Sequence, residues 1–368
     1  MTTHHAAASA VRPRRPRLKA TLDVRRLAGG RTLVLRGDLG EPDLEIESDG
    51  ADVGEFLGLL DGSRTADGVA ARSGLAPDEV GELLDQMLEL GLVEDASADA
   101  LLAPERRERF DRHLGFYADA VAWPRSGASV QAELAGKTVA LIGLGGLGSW
   151  AAWGLACAGV GRIVGIDGDR VELSNLNRQV LYGEADVGSL KAVAAGRALR
   201  RLDPGLDYVG VPRRMTSAEE VAVAVEGADL VLDGADWPPH RIDAWVDEGC
   251  RAVGVPWLAM SQHPPRLRVG PLYVPGLTGC RGCQEAQWRQ EHPLYDEIAA
   301  AAPDLPSAGA FGAACGAVGT IAASEAVAWL GGLWEPATLG ASLQIDLRTF
   351  EVAREEVPRV AGCACGAG

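Results

Sequence analysis

The sequence predicts an α/β protein: a mixed sheet with helices on both faces, preceded by a small α+β domain. Three observations carry this. Short apolar runs, Thr138–Ile142, Arg162–Ile166 and Asp229–Asp233, alternate with helix-period segments, as parallel strands do with crossover helices. A glycine-rich turn, Gly143-Leu-Gly-Gly-Leu-Gly148, joins the first run to an alanine-rich helix. Before residue 100 the order differs: short strand-like runs come first and helices follow. A length of 368 residues suits two domains.

Composition narrows the class of partner. The formal net charge is −16 with a pI near 4.9, which argues against general binding to nucleic acid or anionic membranes. No apolar run reads as long enough to span a bilayer, and the basic N-terminus has no apolar segment of a signal peptide. A cytoplasmic location is expected. Seven cysteines in such a chain point to metal binding or free thiols before disulfides. Four fall in two close pairs, Cys280/Cys283 and Cys363/Cys365, which reads as a tetrahedral structural zinc site; two unrelated thiol pairs are the alternative. Cys157, after the alanine-rich helix, and Cys250, at a helix end, read as core filler.

Taken in order, residues 1–16 lack periodicity and read as a disordered tail. Residues 17–96 form the small domain. Leu18–Leu27, Thr32–Arg36 and Asp43–Glu47 read as strands, with turns at Gly29-Gly30 and Gly37–Pro42. Helices follow at about Asp52–Leu60, Thr65–Ser73 and from Pro77, the last with acids Asp78 and Glu79 in its first turn. Its stripe Val80, Leu83, Leu84, Met87, Leu88 reads as core and ends at Gly91. Residues 97–108 read as a linker, and Arg109–Leu114 opens a helix with Arg112 on it. The large domain, 109–368, holds the glycine turn, the strand ending at Asp167, and then Ser174-Asn-Leu-Asn-Arg-Gln179. Helix Ser189–Leu202 carries Lys191; strand Asp207–Pro212 and a helix capped by Ser217 and Glu220 lead to Asp233 and Asp236. Val255–Met260 and Arg266–Val274 are later strands, 291–313 a loop around Pro303–Pro306, and Ala314–Leu330 a helix whose glycines allow close packing.

These residues imply a nucleotide with more charge than a dinucleotide. Gly143, Gly145, Gly146 and Gly148 let backbone and a helix N-terminus approach phosphate, and Asp167 suits a ribose. Arg178 and Lys191 soon afterwards suit a triphosphate, and the Asp233/Asp236 pair suits Mg²⁺. The stretch resembles the ThiF-like, ubiquitin-activating type of adenylating enzyme, with a Rossmann-like sheet, over roughly Arg109 to the C-terminus. The resemblance implies ATP, with Asp167 on ribose, Asn175, Arg178 and Lys191 on phosphates and Asp236 on magnesium. It also implies a homodimer in which Arg112 reaches the partner subunit's nucleotide, and a zinc on Cys280, Cys283, Cys363 and Cys365. The family usually has Asn after the magnesium aspartate; here Trp237 stands there. Arg241 belongs to the same match. Cys315 is a thin acyl acceptor with no histidine beside it, and His240 and His263 are lone histidines.

The small domain resembles the leader-peptide-binding domain of PqqD-like proteins, with a winged-helix-like outline shared by purely structural domains. That resemblance implies capture of a precursor peptide's leader, as an added strand at a sheet edge. Together the two resemblances imply ATP-dependent adenylation of a carboxylate on a ribosomally made peptide. The alternatives are a non-adenylating partner that delivers a precursor to a cyclodehydratase, or a sulfur-carrier adenylyltransferase. A nicotinamide dehydrogenase fits least, because no hydride-transfer site is visible.

Overall fold

The computed structural model describes residues 12–27, 31–35, 44–46, 53–239, 241–301, 309–363 and 365. The chain divides into two compact units, Met1–Ala132 and Glu133–Gly368.

The first unit contains β1 (Pro16–Leu18), β2 (Asp23–Arg26), β3 (Thr32–Leu35) and β4 (Leu44–Ile46). Then come α1 (Val53–Leu59), α2 (Ala66–Ser73), α3 (Pro77–Glu89), β5 (Val93–Asp95), α4 (Pro104–Arg109) and α5 (Asp111–Ala120). β2, β3 and β4 form an antiparallel sheet, with Val24 opposite Val34 and Leu33 opposite Glu45. α3 buries Val80, Leu84 and Met87, and Val34, Leu57 and Val69 complete the core. Its first turn is closed by the Glu79 carboxylate, which accepts the Ala76 N–H at 2.7 Å.

The expected single strand Leu18–Leu27 is two strands. β1 leaves the three-stranded sheet and pairs antiparallel with β5, Arg17 opposite Glu94. The cause is an ion-pair set: the Arg17 guanidinium donates to Glu94 and to Asp99 at 2.8 Å each. Nor is the whole of 1–16 a tail. Arg12 pairs with Asp85 at 2.6 Å, and the N–H groups of Arg14 and Arg15 donate to the Asp95 carboxylate. Residues 1–11 and both expected turns, Gly29-Gly30 and Gly37–Pro42, lie outside the described residues. The stretch read as a linker carries a 3-10 turn, Ala96–Leu101, before α4. The helix α6 (Gly127–Ala135) spans the boundary between the units.

The second unit is built on β6 (Thr138–Ile142), β7 (Arg162–Ile166), β8 (Asp207–Val211), β9 (Leu230–Asp233), β10 (Trp257–His263), β11 (Arg266–Tyr273), β12 (Ala341–Asp346) and β13 (Val352–Glu356). Its helices are α7 (Gly146–Ala158), α8 (Lys191–Leu202), α9 (Ala218–Val225), α10 (Ile242–Val253), α11 (Arg281–Glu291), α12 (Tyr295–Ala301) and α13 (Gly312–Gly331). The strands form one sheet in the order β13-β12-β11-β10-β9-β6-β7-β8. β8 through β10 run parallel; β10 to β13 pair antiparallel. The mixed sheet expected from the sequence is therefore present. From β6 the chain winds outward through β7 to β8, then returns to β9 on the other side of β6. That reversal opens a crevice at the carboxyl ends of β6 and β9, where ligands of such sheets bind.

Contrary to the expectation that no apolar run is long enough to span a bilayer, α13 is by length and composition apolar enough to do so. It packs in the core against α7. A Cβ at Gly319 would lie 2.6 Å from the Leu147 carbonyl oxygen, and one at Gly154 2.7 Å from Ala323, so these glycines set the helix spacing. The loop expected over 291–313 holds α12, and Pro303–Pro306 lie outside the described residues.

Candidate functional site

The crevice is lined by two turns in contact. Gly143 has φ +86°, and a Cβ there would fall 2.8 Å from the Ala235 N and 2.9 Å from the Gly234 carbonyl carbon. Only glycine meets both demands. A Cβ at Gly148 would lie 1.9 Å from the Gly143 carbonyl oxygen, so the turn can close onto α7 only without one. Gly145 is the N-cap of α7 and supplies no side-chain cap, which leaves first-turn N–H groups and the positive helix end for an anion. Among the described residues, a Cβ at Gly145 itself would meet nothing nearer than the Gln179 Nε2, at 3.7 Å. That open face is where a phosphate cradle fits.

Asp167, at the end of β7, is buried and bound to the turn. Its Oδ2 accepts the Leu144 N–H at 2.8 Å and its Oδ1 the Asp169 N–H at 2.8 Å. Burial raises its pKa, against the pull of the Lys191 charge. The Leu144 carbonyl in turn accepts the Tyr182 hydroxyl at 2.9 Å. Asn175 is buried; its Oδ1 accepts the Glu172 N–H, which holds the 3-10 turn Leu173–Asn175. That turn delivers Arg178 to the glycine turn: its Cδ lies 3.7 Å from a Cβ built on Gly146, and its Nη1 donates to the Ser174 carbonyl. Lys191 starts α8, is 6% exposed, and donates to Asp169 Oδ2 at 3.1 Å. Gln179, expected only as part of a motif, is buried against the same turn, and its Oε1 has no hydrogen-bond partner among the described residues.

The second turn carries Asp233, Asp236 and Trp237. Asp233 is buried, and burial followed by the charges of Asp243 and Asp236 pushes its pKa well up. Asp236 is exposed, whereas Asp233 accepts the Ala235 N–H and shapes the turn. Trp237 is 47% exposed. Arg241 is the N-cap of α10. Arg112 lies exposed on α5, in the first unit. Cys315, at the start of α13, is buried against Gly146 and takes a 3.6 Å contact from Gln262 Nε2; burial raises its pKa, which disfavours a thiolate. His263 is exposed at the end of β10, and His240 lies outside the described residues. Cys157 lies within α7, not after it, half-buried, and Cys250 is buried in α10.

The four paired cysteines come together. Sγ separations are 3.9 Å for Cys280–Cys283, 3.5 Å for Cys280–Cys363 and 3.5 Å for Cys283–Cys365, and all four lie within 4.8 Å of one another. A disulfide has sulfurs about 2 Å apart. Sulfurs at the corners of a tetrahedral Zn–S₄ centre, with bonds of about 2.3 Å, lie about 3.8 Å apart. The donor set therefore fits zinc, with Cys363 and Cys365 supplying two of the four sulfurs.

The ThiF family profile matches residues 117–366. The sulfur carrier protein adenylyltransferase of Thermus thermophilus is 32% identical over 262 residues, which cover 70% of this chain and 92% of that protein. The ThiS adenylyltransferase of Escherichia coli is 32% identical over 237 residues, covering 64% and 88%. Among solved structures, E. coli MccB with ATP is similar with a TM-score of 0.72 at 21% identity, covering 95% of this chain and 99% of that one. PaaA is similar with a TM-score of 0.73 at 22% identity, covering 93% and 100%. At these identities the structures speak for the fold.

Proposed function

The chain belongs to the ThiF family and is an ATP-dependent adenylyltransferase of that type; from that premise we propose that its substrate is a carboxylate on a ribosomally made precursor peptide. One observation carries the choice of a peptide. The family match begins at residue 117, so nearly all of the first unit lies outside it, yet MccB structures align over 95% of this chain. MccB has been crystallised with MccA and with ATP. In this reading the first unit takes the leader, as an added strand on the β2-β3-β4 sheet.

The chemistry asks little of the protein beyond placement and charge. A carboxylate oxygen of the acceptor attacks the α-phosphorus, the bond to the β-phosphate oxygen breaks, and pyrophosphate leaves with the electron pair. No general base is needed, since the nucleophile is already ionised. The glycine turn and the start of α7 hold phosphate, and Asp167 holds ribose. Arg178 and Lys191 face the charge that builds on the leaving pyrophosphate. Asp236 would hold magnesium, which when bound neutralises phosphate charge. In a homodimer, Arg112 would reach the partner's nucleotide.

Leader-dependent ATP–pyrophosphate exchange with a cognate peptide tests this. Asp236→Ala should abolish exchange and leave peptide affinity unchanged; exchange unaffected by that change contradicts the reading. The relatives at 32% identity favour a second reading, activation of a small sulfur carrier ending in Gly-Gly. Exchange driven by such a carrier, and by no peptide, would decide for it. Tight peptide binding without ATP turnover would mark a delivery partner instead.

A further inference from the structure

Asp169 and Arg214 belong to none of the roles assigned above. Asp169 Oδ2 accepts Lys191 Nζ at 3.1 Å, and its Oδ1 accepts Arg214 Nη2 at 2.7 Å and Nε at 3.2 Å. One carboxylate is thus held between two cations. The backbone repeats the connection, since the Lys191 N–H donates to the Asp169 carbonyl at 2.9 Å and the Asp169 N–H donates to Asp167. Arg214 is seated against the same turn: a Cβ on Gly168 would fall 2.8 Å from both its N and its Cγ.

The two ion pairs differ in environment. The Lys191 side chain is 8% exposed and that of Arg214 is 64% exposed. An ammonium on a flexible four-carbon stem, taken out of water, needs a fixed anion to hold it in one place. Arg214, mostly in water, grips Oδ1 with two N–H groups, which leaves Oδ2 for the Lys191 ammonium.

We propose that Asp169 is a positioning residue that holds the Lys191 ammonium toward the triphosphate, and that Arg214 braces Asp169 for that task. This rests on the reading of the crevice as an ATP site. Asp169 acts through Lys191 and does not itself touch nucleotide. Its removal should therefore matter only while Lys191 is present, whereas a carboxylate that merely stiffens the turn would act regardless.

The test is a double-mutant cycle on the full chain, read by calorimetry with ATP·Mg²⁺ and by ATP–pyrophosphate exchange. Asp169→Asn should weaken ATP binding about 10-fold alone but less than about 2-fold in the Lys191→Met background. Asp169→Glu should recover part of the loss. Arg214→Met, at an exposed site, should cost about 3-fold, also only with Lys191 present, and serves if Asp169→Asn fails to fold. Effects that multiply independently, or wild-type affinity in Asp169→Asn and Arg214→Met, overturn the proposal. A wild-type chain that exchanges normally with an additive cycle defeats this inference alone. One that binds ATP but never exchanges defeats the adenylation reading and leaves the cycle to be judged on affinity. One that does not bind ATP defeats both.

Discussion

The Leu144 N–H donates to Asp167 Oδ2 at 2.8 Å, so the glycine turn after β6 and the carboxylate at the end of β7 are one rigid piece. The residue proposed for ribose thereby also holds the loop proposed for phosphate. Asp167→Asn should weaken ATP binding about 10-fold and erase any preference for ATP over 2′,3′-dideoxy-ATP. Calorimetry with both nucleotides checks this; an undiminished preference would place the ribose elsewhere.

The glycines of the turn should separate by variant. At Gly145 an added Cβ meets only the Gln179 side chain, at an ordinary 3.7 Å, so Gly145→Ala should keep the wild-type melting temperature while losing ATP affinity by about 10-fold or more. At Gly148 it would strike the Gly143 carbonyl oxygen, which is backbone and cannot swing aside. Gly148→Ala should lower the melting temperature by several degrees, roughly what about 1–2 kcal/mol does in a chain of this size. Paired thermal melts and binding isotherms give the answer.

The cysteine cluster should bind one zinc per chain, measured by elemental analysis of the purified protein. Cys365→Ser should lower that content and, with it, thermal stability, because a bound metal would tie the chain beyond β13 to the start of α11. A chelator should bring the wild-type chain to the same melting temperature. Full stability without metal would reduce the cluster to a packed thiol group.

Acid should act on the first unit through Asp61. Hydrogen bonds from the Ser63 hydroxyl and N–H and from Arg64 hold its carboxyl at about 2, below the usual 3.8. A folded-state pKa below the unfolded one gives stability that is fully present above pH 3.8 and lost as pH falls toward about 2. Asp61→Asn should thus be the less stable chain at neutral pH, and the difference should close across that window. Urea unfolding at a series of pH values measures it.

Much of this was legible in the residues. The strands Thr138–Ile142 and Arg162–Ile166 occur as read, because short apolar runs bounded by glycine leave little freedom in where a buried strand starts and stops. Of the stripe expected on α3, Val80, Leu84 and Met87 are buried and Leu88 packs half-buried against the core, whereas Leu83 is only half-buried. Leu18–Leu27 misled, because a run of strand-forming residues does not state its partner, and the Arg17–Glu94 pair draws its beginning to β5. α12 was hidden inside a Pro- and Ala-rich stretch whose composition suits a loop as well. Asp169 stood in plain view beside Asp167, but nothing in its spacing told of Arg214.

By itself the sequence determined the local pieces: a glycine turn before a helix, carboxylates at strand ends, a lysine opening a helix, and two close cysteine pairs. These are properties of neighbouring residues, governed by φ preferences and periodicity. Which pieces meet depends on long-range packing. Arg214 reaches Asp169 across 45 residues because β7 and β8 lie side by side and their ends emerge together. Cys363 reaches Cys280 across 83 residues because the chain beyond β13 returns to the start of α11. Such contacts follow from strand order, and strand order is set by how the whole sheet buries its two faces.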